Sequence, residues 1–409
     1  MIQVLYISYD GMTDQLGQSQ VIPYLKGLSK KGYQFTLLSF EKPERFKKYA
    51  VEISSLLKEN NIEWVPLTYI KKPPVLSTMW DVHRMKRRAF QLHREKKFEI
   101  VHCRSYLSSL VGLQMKQKFQ TKFIFDMRAF YADERVDGRI WNLDNPFYKF
   151  IYRFFKTKEK EFLKEADYVI TLTQRARDII HTWKEIPAQP IPIQVIPCCS
   201  DLELFSERSV DQQALQMLRH RFQLTGNEFV LTYLGSVGTW YMLNEMLDFF
   251  KCLLTILPQA KFLFITNDLP ADILKKAEAM GISKDAFIIS PAERKNVPTY
   301  LALSRWSIFF IQPYFSKTGS SPTKQGEIMG MGIPIVCNAG VGDVDSIVAD
   351  THSGYVLKDF SESTYKAAIE KMQKEELSKE QIREGAFKYY ALEKGVGKYE
   401  EVYRRVLGE

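Results

Sequence analysis

The chain is poor in the residues that bind metals or staple small folds, with five cysteines and six histidines among 409 residues. The cysteines (Cys103, Cys198, Cys199, Cys252, Cys337) are odd in number and scattered through apolar segments. That excludes a disulfide framework and reads as buried free thiols in a reducing compartment. No cysteine pair has metal-ligand spacing and the histidines form no cluster, so no metal site is expected. Nothing approaches the roughly 20 apolar residues of a membrane span. The first residues, Met1 to Asp10, show no basic leader and read as a buried strand, so a cytoplasmic location is expected, including the inner face of the membrane. Also missing are the Gly-x-Gly-x-x-Gly fingerprint of dinucleotide binding and the acidic residue expected at the end of the second strand. There is no internal repeat, no low-complexity segment and no nucleic-acid recognition module.

What is present describes a folded protein of two domains: 45% hydrophobic and 26% charged residues, in a length that one core rarely fills. The charge is lopsided. Residues 1–200 hold 33 basic against 21 acidic side chains, and residues 201–409 hold 24 against 27. The whole positive excess lies in the first half, which points to a division of labour.

Apolar strands alternate with helical patterns, predicting an α/β protein with parallel sheets. The first half predicts strands over 4–9, 34–40, 62–67, 100–103, 123–126, 168–171 and 194–197. Helices are expected over 20–30, 81–96, 110–117 and 149–164. The second half predicts strands over 229–234, 261–265, 287–289, 308–311 and 333–337, with a junction inside 199–225. Two doubly wound domains of this kind bind ligands at the carboxyl ends of their strands, here facing a central cleft.

The most informative segment is 317–334. Ser320 and Ser321 precede a helix for which Ser321 suits the cap and Pro322 the first position. Its first-turn N–H groups, near Thr323 and Lys324, would form an anion site, with Glu327 one turn further on. A diphosphate against Lys324 and a ribose against Glu327 would fit a sugar nucleotide; the bland alternative is a capped helix with both side chains solvated. The loop Gly235-Ser236-Val237-Gly238-Thr239, from which a second helix is expected, would bring backbone close to the same phosphate. Ser290 ends the strand over 287–289 and joins this set. In the first half, Gly17 and Gln18 lie in a long loop expected to open a helix. Asp126, Arg128, Asp133, Glu134 and Arg135 crowd another strand end, with Arg104 beside them. They read as polar recognition next to aromatic surfaces or as an internal salt-bridge network. Basic and aromatic residues also alternate over 83–97 and 148–158, fitting either an anionic lipid surface or a solvated helix face.

Together, Ser321-Pro322-Thr323-Lys324 with Glu327 and Gly332-Ile333-Pro334, the Gly235-Ser236 loop, Ala166 to Thr171 and Val195 to Asp201 resemble the retaining GT-B glycosyltransferases of family 4 (glycosyl transferases group 1). The resemblance implies an acceptor domain over 1–203 and a nucleotide-sugar donor domain over 204–388. A last segment, 389–409, would return to the first domain. It further implies a nucleotide sugar as substrate, a hydroxyl acceptor such as a lipid-linked or surface-polysaccharide intermediate, and no cofactor or metal. Gly235, Ser236, Gly238, Thr239, Ser290, Ser320, Ser321, Thr323, Lys324 and Glu327 would take the donor. Gly17, Gln18, Arg104, Asp133, Glu134 and Arg135 would lie on the acceptor side. Lys324, Asp126 and Arg128 would be catalytic.

The pattern departs from the family at three places. Glu327 matches the second of two family glutamates, but Gly319 stands at the first. The donor loop lacks the usual Arg and Lys. No histidine matches the one near the donor sugar, where Asp126 or Arg128 stands. A sugar-nucleotide epimerase of the same fold and a non-catalytic nucleotide-binding partner of a transferase therefore stay open. A dinucleotide oxidoreductase is disfavoured by the missing glycines.

Overall fold

The computed structural model describes residues 1–186 and 191–409. Two compact units divide the chain: Met1–Pro197 with Leu392–Glu409, and Cys198–Ala391.

The first unit is built on a parallel sheet of seven strands: β1 (Ile2–Ser8), β2 (Tyr33–Glu41), β3 (Glu63–Thr68), β4 (Ile100–Arg104), β5 (Lys122–Arg128), β6 (Tyr168–Thr171) and β7 (Ile193–Val195). Their order is β3-β2-β1-β4-β5-β6-β7, which reverses direction between β1 and β4. In the second unit, six parallel strands follow: β8 (Val230–Leu234), β9 (Lys261–Ile265), β10 (Phe287–Ser290), β11 (Trp306–Phe309), β12 (Ile335–Asn338) and β13 (Gly354–Leu357). They run β10-β9-β8-β11-β12-β13, with the reversal between β8 and β11. Both units are Rossmann-like. Helices cover both faces of each sheet, which is why the central strands read as unbroken apolar runs such as Val4-Leu5-Tyr6-Ile7, all buried.

Several expected boundaries move for physical reasons. The helix drawn over 20–30 is two helices, Gln15–Gln20 and Ile22–Ser29, parted at Val21 ahead of Pro23, which has no N–H to continue the ladder. The strand drawn over 308–311 ends at Phe309, because the Phe310 carbonyl leaves the sheet to accept from the Met242 N–H. That over 333–337 begins only at Ile335, because the Ile333 N–H still closes the preceding helix turn. Strand β13 has no counterpart among the expected strands. It is four residues long, and its pairing to β12 brings Gly354 against Ile335 backbone where no side chain fits. Residues 131–137, read as part of a strand-end loop, are helical.

The final helix, Leu392–Leu407, packs within the first unit. Val396 sits where a Cβ on Gly27 would clash, the Lys398 ammonium donates to the Val195 carbonyl, and Tyr399 and Tyr403 reach the sheet core. No helix among the described residues is long and apolar enough to cross a membrane.

Candidate functional site

In the second unit the reversal point between β8 and β11 gathers the donor candidates. β8 ends into Gly235, whose φ of +109° is a conformation that favours glycine. The Lys324 amine lies 3.3 Å from where a Cβ on Gly235 would stand, so the loop and the lysine meet as expected. Lys324 is buried. Its ammonium donates to the Tyr233 hydroxyl at 3.0 Å and lies 4.1 Å and 3.8 Å from the ring centres of Tyr233 and Tyr241. Burial drives its pKa well below that of an ordinary lysine, against the opposing pull of Glu327. Burial also pushes the Tyr241 phenol up to about 12, so that both cradling rings stay neutral.

Glu327 is buried too. Its Oε1 accepts a 2.7 Å hydrogen bond from Arg294, a residue absent from the sequence reading, although it lies just after β10 at a strand's carboxyl end. Burial raises the Glu327 pKa, and Arg294 and Lys324 counter it. A second unanticipated cation, Lys317, is buried with its ammonium 3.6 Å from the centre of the Trp240 ring.

Three local expectations need correction. The helix begins at Thr323 with Pro322 as its cap, and Ser321 does not cap it; the Ser321 hydroxyl instead accepts from the Cys198 N–H. The extended ψ of 115° at Pro322 provides the cap geometry unaided. No helix starts at Thr239, which has φ +41°; the helix begins at Leu243. The donor loop is also drawn onto a carboxylate of its own, as the Val237 N–H (2.6 Å) and the Ser236 hydroxyl donate to Asp268. Gly238 and Thr239 are exposed at its tip, and Ser320 returns its N–H to the Lys317 carbonyl. Thr323 accepts from Ser200 through its carbonyl. Ser290 is buried at the end of β10, its hydroxyl directed to the Pro291 carbonyl and the Tyr300 hydroxyl.

In the first unit, Asp126 ends up fully buried near the end of β5. It accepts from Tyr399 at 3.1 Å, with His102 at 3.5 Å and Arg128 at 3.7 Å. Burial alone would raise its pKa, but Arg128, His102 and Arg104 hold it at about 2. Burial keeps His102 neutral, its Nδ1 paired with the Tyr403 hydroxyl at 2.7 Å. Arg104 pairs with Asp10 through Nε at 3.2 Å, leaving a buried Nη1 without a partner. Asp133 accepts from Tyr152 and Lys156, and the Arg135 guanidinium covers the Tyr131 ring; Glu134 lies half-buried between them in sequence on the same short helix.

The first loop is likewise self-satisfied. Gln18 lies inside the helix Gln15–Gln20 and donates to the Thr13 carbonyl, while Gly17 is pressed onto Gly11 and Met12 backbone. The acidic residue said to be missing at the end of the second strand is there: Glu41 ends β2, buried. It accepts from the N–H groups of Met12 and Thr13 and from the hydroxyls of Thr13 and Ser39. The protein's own loop takes the carboxylate that a dinucleotide ribose would need.

The family model for Glycosyltransferase Family 4 matches residues 19–204, and that for glycosyl transferases group 1 matches residues 217–389. No curated protein matches the chain significantly. Among solved structures, a sucrose-phosphate synthase from Thermosynechococcus elongatus superposes with a TM-score of 0.71 at 15% identity, covering 100% of both chains. Anabaena HepE, solved with UDP and glucose, gives 0.69 at 12% identity over 98% of this chain and 99% of its own. A putative UDP-N-acetylglucosamine 2-epimerase from Listeria monocytogenes gives 0.59 at 12% identity over 98% and 96%. At these identities the likeness is one of fold.

Proposed function

Since the chain belongs to the GT-B glycosyltransferases of group 1, we propose that it moves a sugar, with retention, from a nucleoside diphosphate sugar to a hydroxyl acceptor. The observation that carries this reading is the aromatic cradle of Lys324 against Gly235. A buried amine whose charged form is disfavoured gains most when an anion arrives, because the diphosphate restores the favourable environment of its proton. The complex of HepE with UDP supports a uridine nucleotide as the ligand to try first.

In transfer, the sugar–phosphate bond breaks as positive charge grows on the sugar and negative charge on the leaving diphosphate. Lys324 and the N–H groups of its helix start would hold that diphosphate. Lys317 adds a second cation above Trp240, in the loop that lacks the family's Arg and Lys. Glu327, oriented by Arg294, would hold ribose hydroxyls. Retention follows from attack on the face the diphosphate leaves, with a phosphate oxygen taking the acceptor proton. In the first unit, Oδ2 of Asp126 is taken up by Tyr399, His102 and Arg128, so it acts by fixing Arg128 beside an acceptor. The basic excess of that unit suits an acceptor carried on an anionic membrane.

The Listeria neighbour favours one other reading, epimerisation of a UDP-sugar. Thermal-shift screening of sugar nucleotides followed by product analysis tests both. A ligand at a hundred times its dissociation constant should add about 2.7 kcal/mol of stability. Sugar transferred to an added hydroxyl acceptor supports the proposal. An epimerised sugar without acceptor supports the second reading, and no shift with any sugar nucleotide defeats both.

A further inference from the structure

The helix Pro146–Glu165 displays an aromatic stripe that its own unit does not bury. Ile151, Phe155, Phe162 and Leu163 form its inward face. Beside that face Phe147, Phe150 and Phe154 are 53%, 69% and 39% exposed. Spacings of three and four residues align these rings along one stripe. Lys149 and Arg153, both exposed and one turn apart, flank it; with Leu143, Asp144, Pro146 and Phe150 they line an open hollow. The helix Leu76–Lys96 opens similarly, with Leu76, Met79 and Trp80 exposed just after exposed Lys71 and Lys72. Both helices run back against the direction of the parallel strands. Their first turns therefore lie on the carboxyl side of the first sheet, the side of Arg104 and the helix Tyr131–Asp137.

We infer that this side of the first unit docks on a bilayer containing anionic phospholipid, with Phe147, Phe150 and Phe154 in the interface and Lys149 and Arg153 at the headgroup phosphates. Charge selects the occupant. Cations flanking exposed rings match the polar edge of an anionic leaflet, and the first half of the chain carries the whole positive excess. Phe147 and Phe150 leave more than half of their surface in water, where it adds nothing to the folded core. Such docking would bring the carboxyl ends of the first sheet to the membrane surface, where a lipid-linked hydroxyl would be presented. The contact itself needs no nucleotide, so it can be tested apart from sugar transfer.

Co-sedimentation of the full chain with vesicles tests it, using phosphatidylcholine alone and phosphatidylcholine with about a third phosphatidylglycerol. Binding to the anionic vesicles should be at least about ten-fold stronger and should weaken as salt rises. The double variant Phe147→Ser/Phe150→Ser should lose about ten-fold in binding at an unchanged melting temperature. Lys149→Glu/Arg153→Glu should abolish the preference for anionic vesicles. Equal or absent binding to both vesicles, or full binding by the phenylalanine variant, would overturn the inference. So would a dimer in solution that the phenylalanine variant dissociates, which would make the stripe an interface between copies.

Discussion

Arg294 donates a 2.7 Å hydrogen bond to Oε1 of Glu327, tying the segment after β10 to the helix that carries Lys324. Glu327 is buried and Arg294 about a third exposed, so the pair is a fixed carboxylate with one solvated partner. In the proposed reading, that fixes where a ribose hydroxyl would be held. Glu327→Gln and Arg294→Met should each weaken nucleoside diphosphate binding. Titration calorimetry of the double variant should show less than the summed loss, with a coupling of about 0.5–3 kcal/mol. Full additivity would mean that Arg294 does not act through Glu327.

Lys324→Met separates stability from function. The folded protein penalises the ammonium, since its pKa lies well below the unfolded value. A depressed lysine binds fewer protons folded than unfolded, so its contribution to stability improves as pH rises from the folded value toward the usual lysine range. At neutral pH the variant should therefore melt no lower than the parent, and up to about 2–4 °C higher. Turnover should nonetheless fall roughly 10²-fold, and the stabilisation by UDP should vanish.

Asp268 places a negative charge on the loop proposed to receive a diphosphate. Asp268→Asn keeps an acceptor for the Val237 N–H and removes the charge. UDP should bind about five-fold more tightly, as expected from relieving ~1 kcal/mol of repulsion across solvent. Weaker binding in calorimetry would mean that the carboxylate is needed to shape the loop.

Acid should destabilise the first unit in two windows. His102 is held neutral by burial, below its unfolded pKa near 6.5, so its stabilising effect is present above that value and lost as pH falls beneath it. Asp126, held at about 2, contributes stability above the usual carboxylate range that disappears as pH falls toward 2. Urea melts between pH 7.5 and 5 should show the first slope, at most about 1.4 kcal/mol per pH unit, and His102→Gln should flatten it.

The strands that carry these groups were legible because parallel sheets covered on both faces demand long apolar runs, and Lys261–Ile265 and Tyr168–Thr171 stand where periodicity placed them. Ends were less legible. Whether Ile311 extends β11 depends on the Phe310 carbonyl finding the Met242 N–H, a contact between residues 68 positions apart. β13 lacks a pattern of its own because three half-buried residues and a buried Leu357 show little periodicity, and only pairing with β12 makes them a strand.

The sequence by itself determined two doubly wound units, the helix bearing Lys324 and Glu327, the glycine-bearing loop after β8, and the uneven charge. These follow from local rules of apolar period, glycine placement and residue type. The tertiary structure alone decided which charges are engaged. Glu41 is consumed by the Met12–Thr13 loop, Asp268 by Ser236 and Val237, Asp126 by Tyr399, and Lys324 is enclosed by two tyrosine rings. Burial and long-range hydrogen bonding set the state of an ionisable group, and both depend on chain segments that only folding brings together.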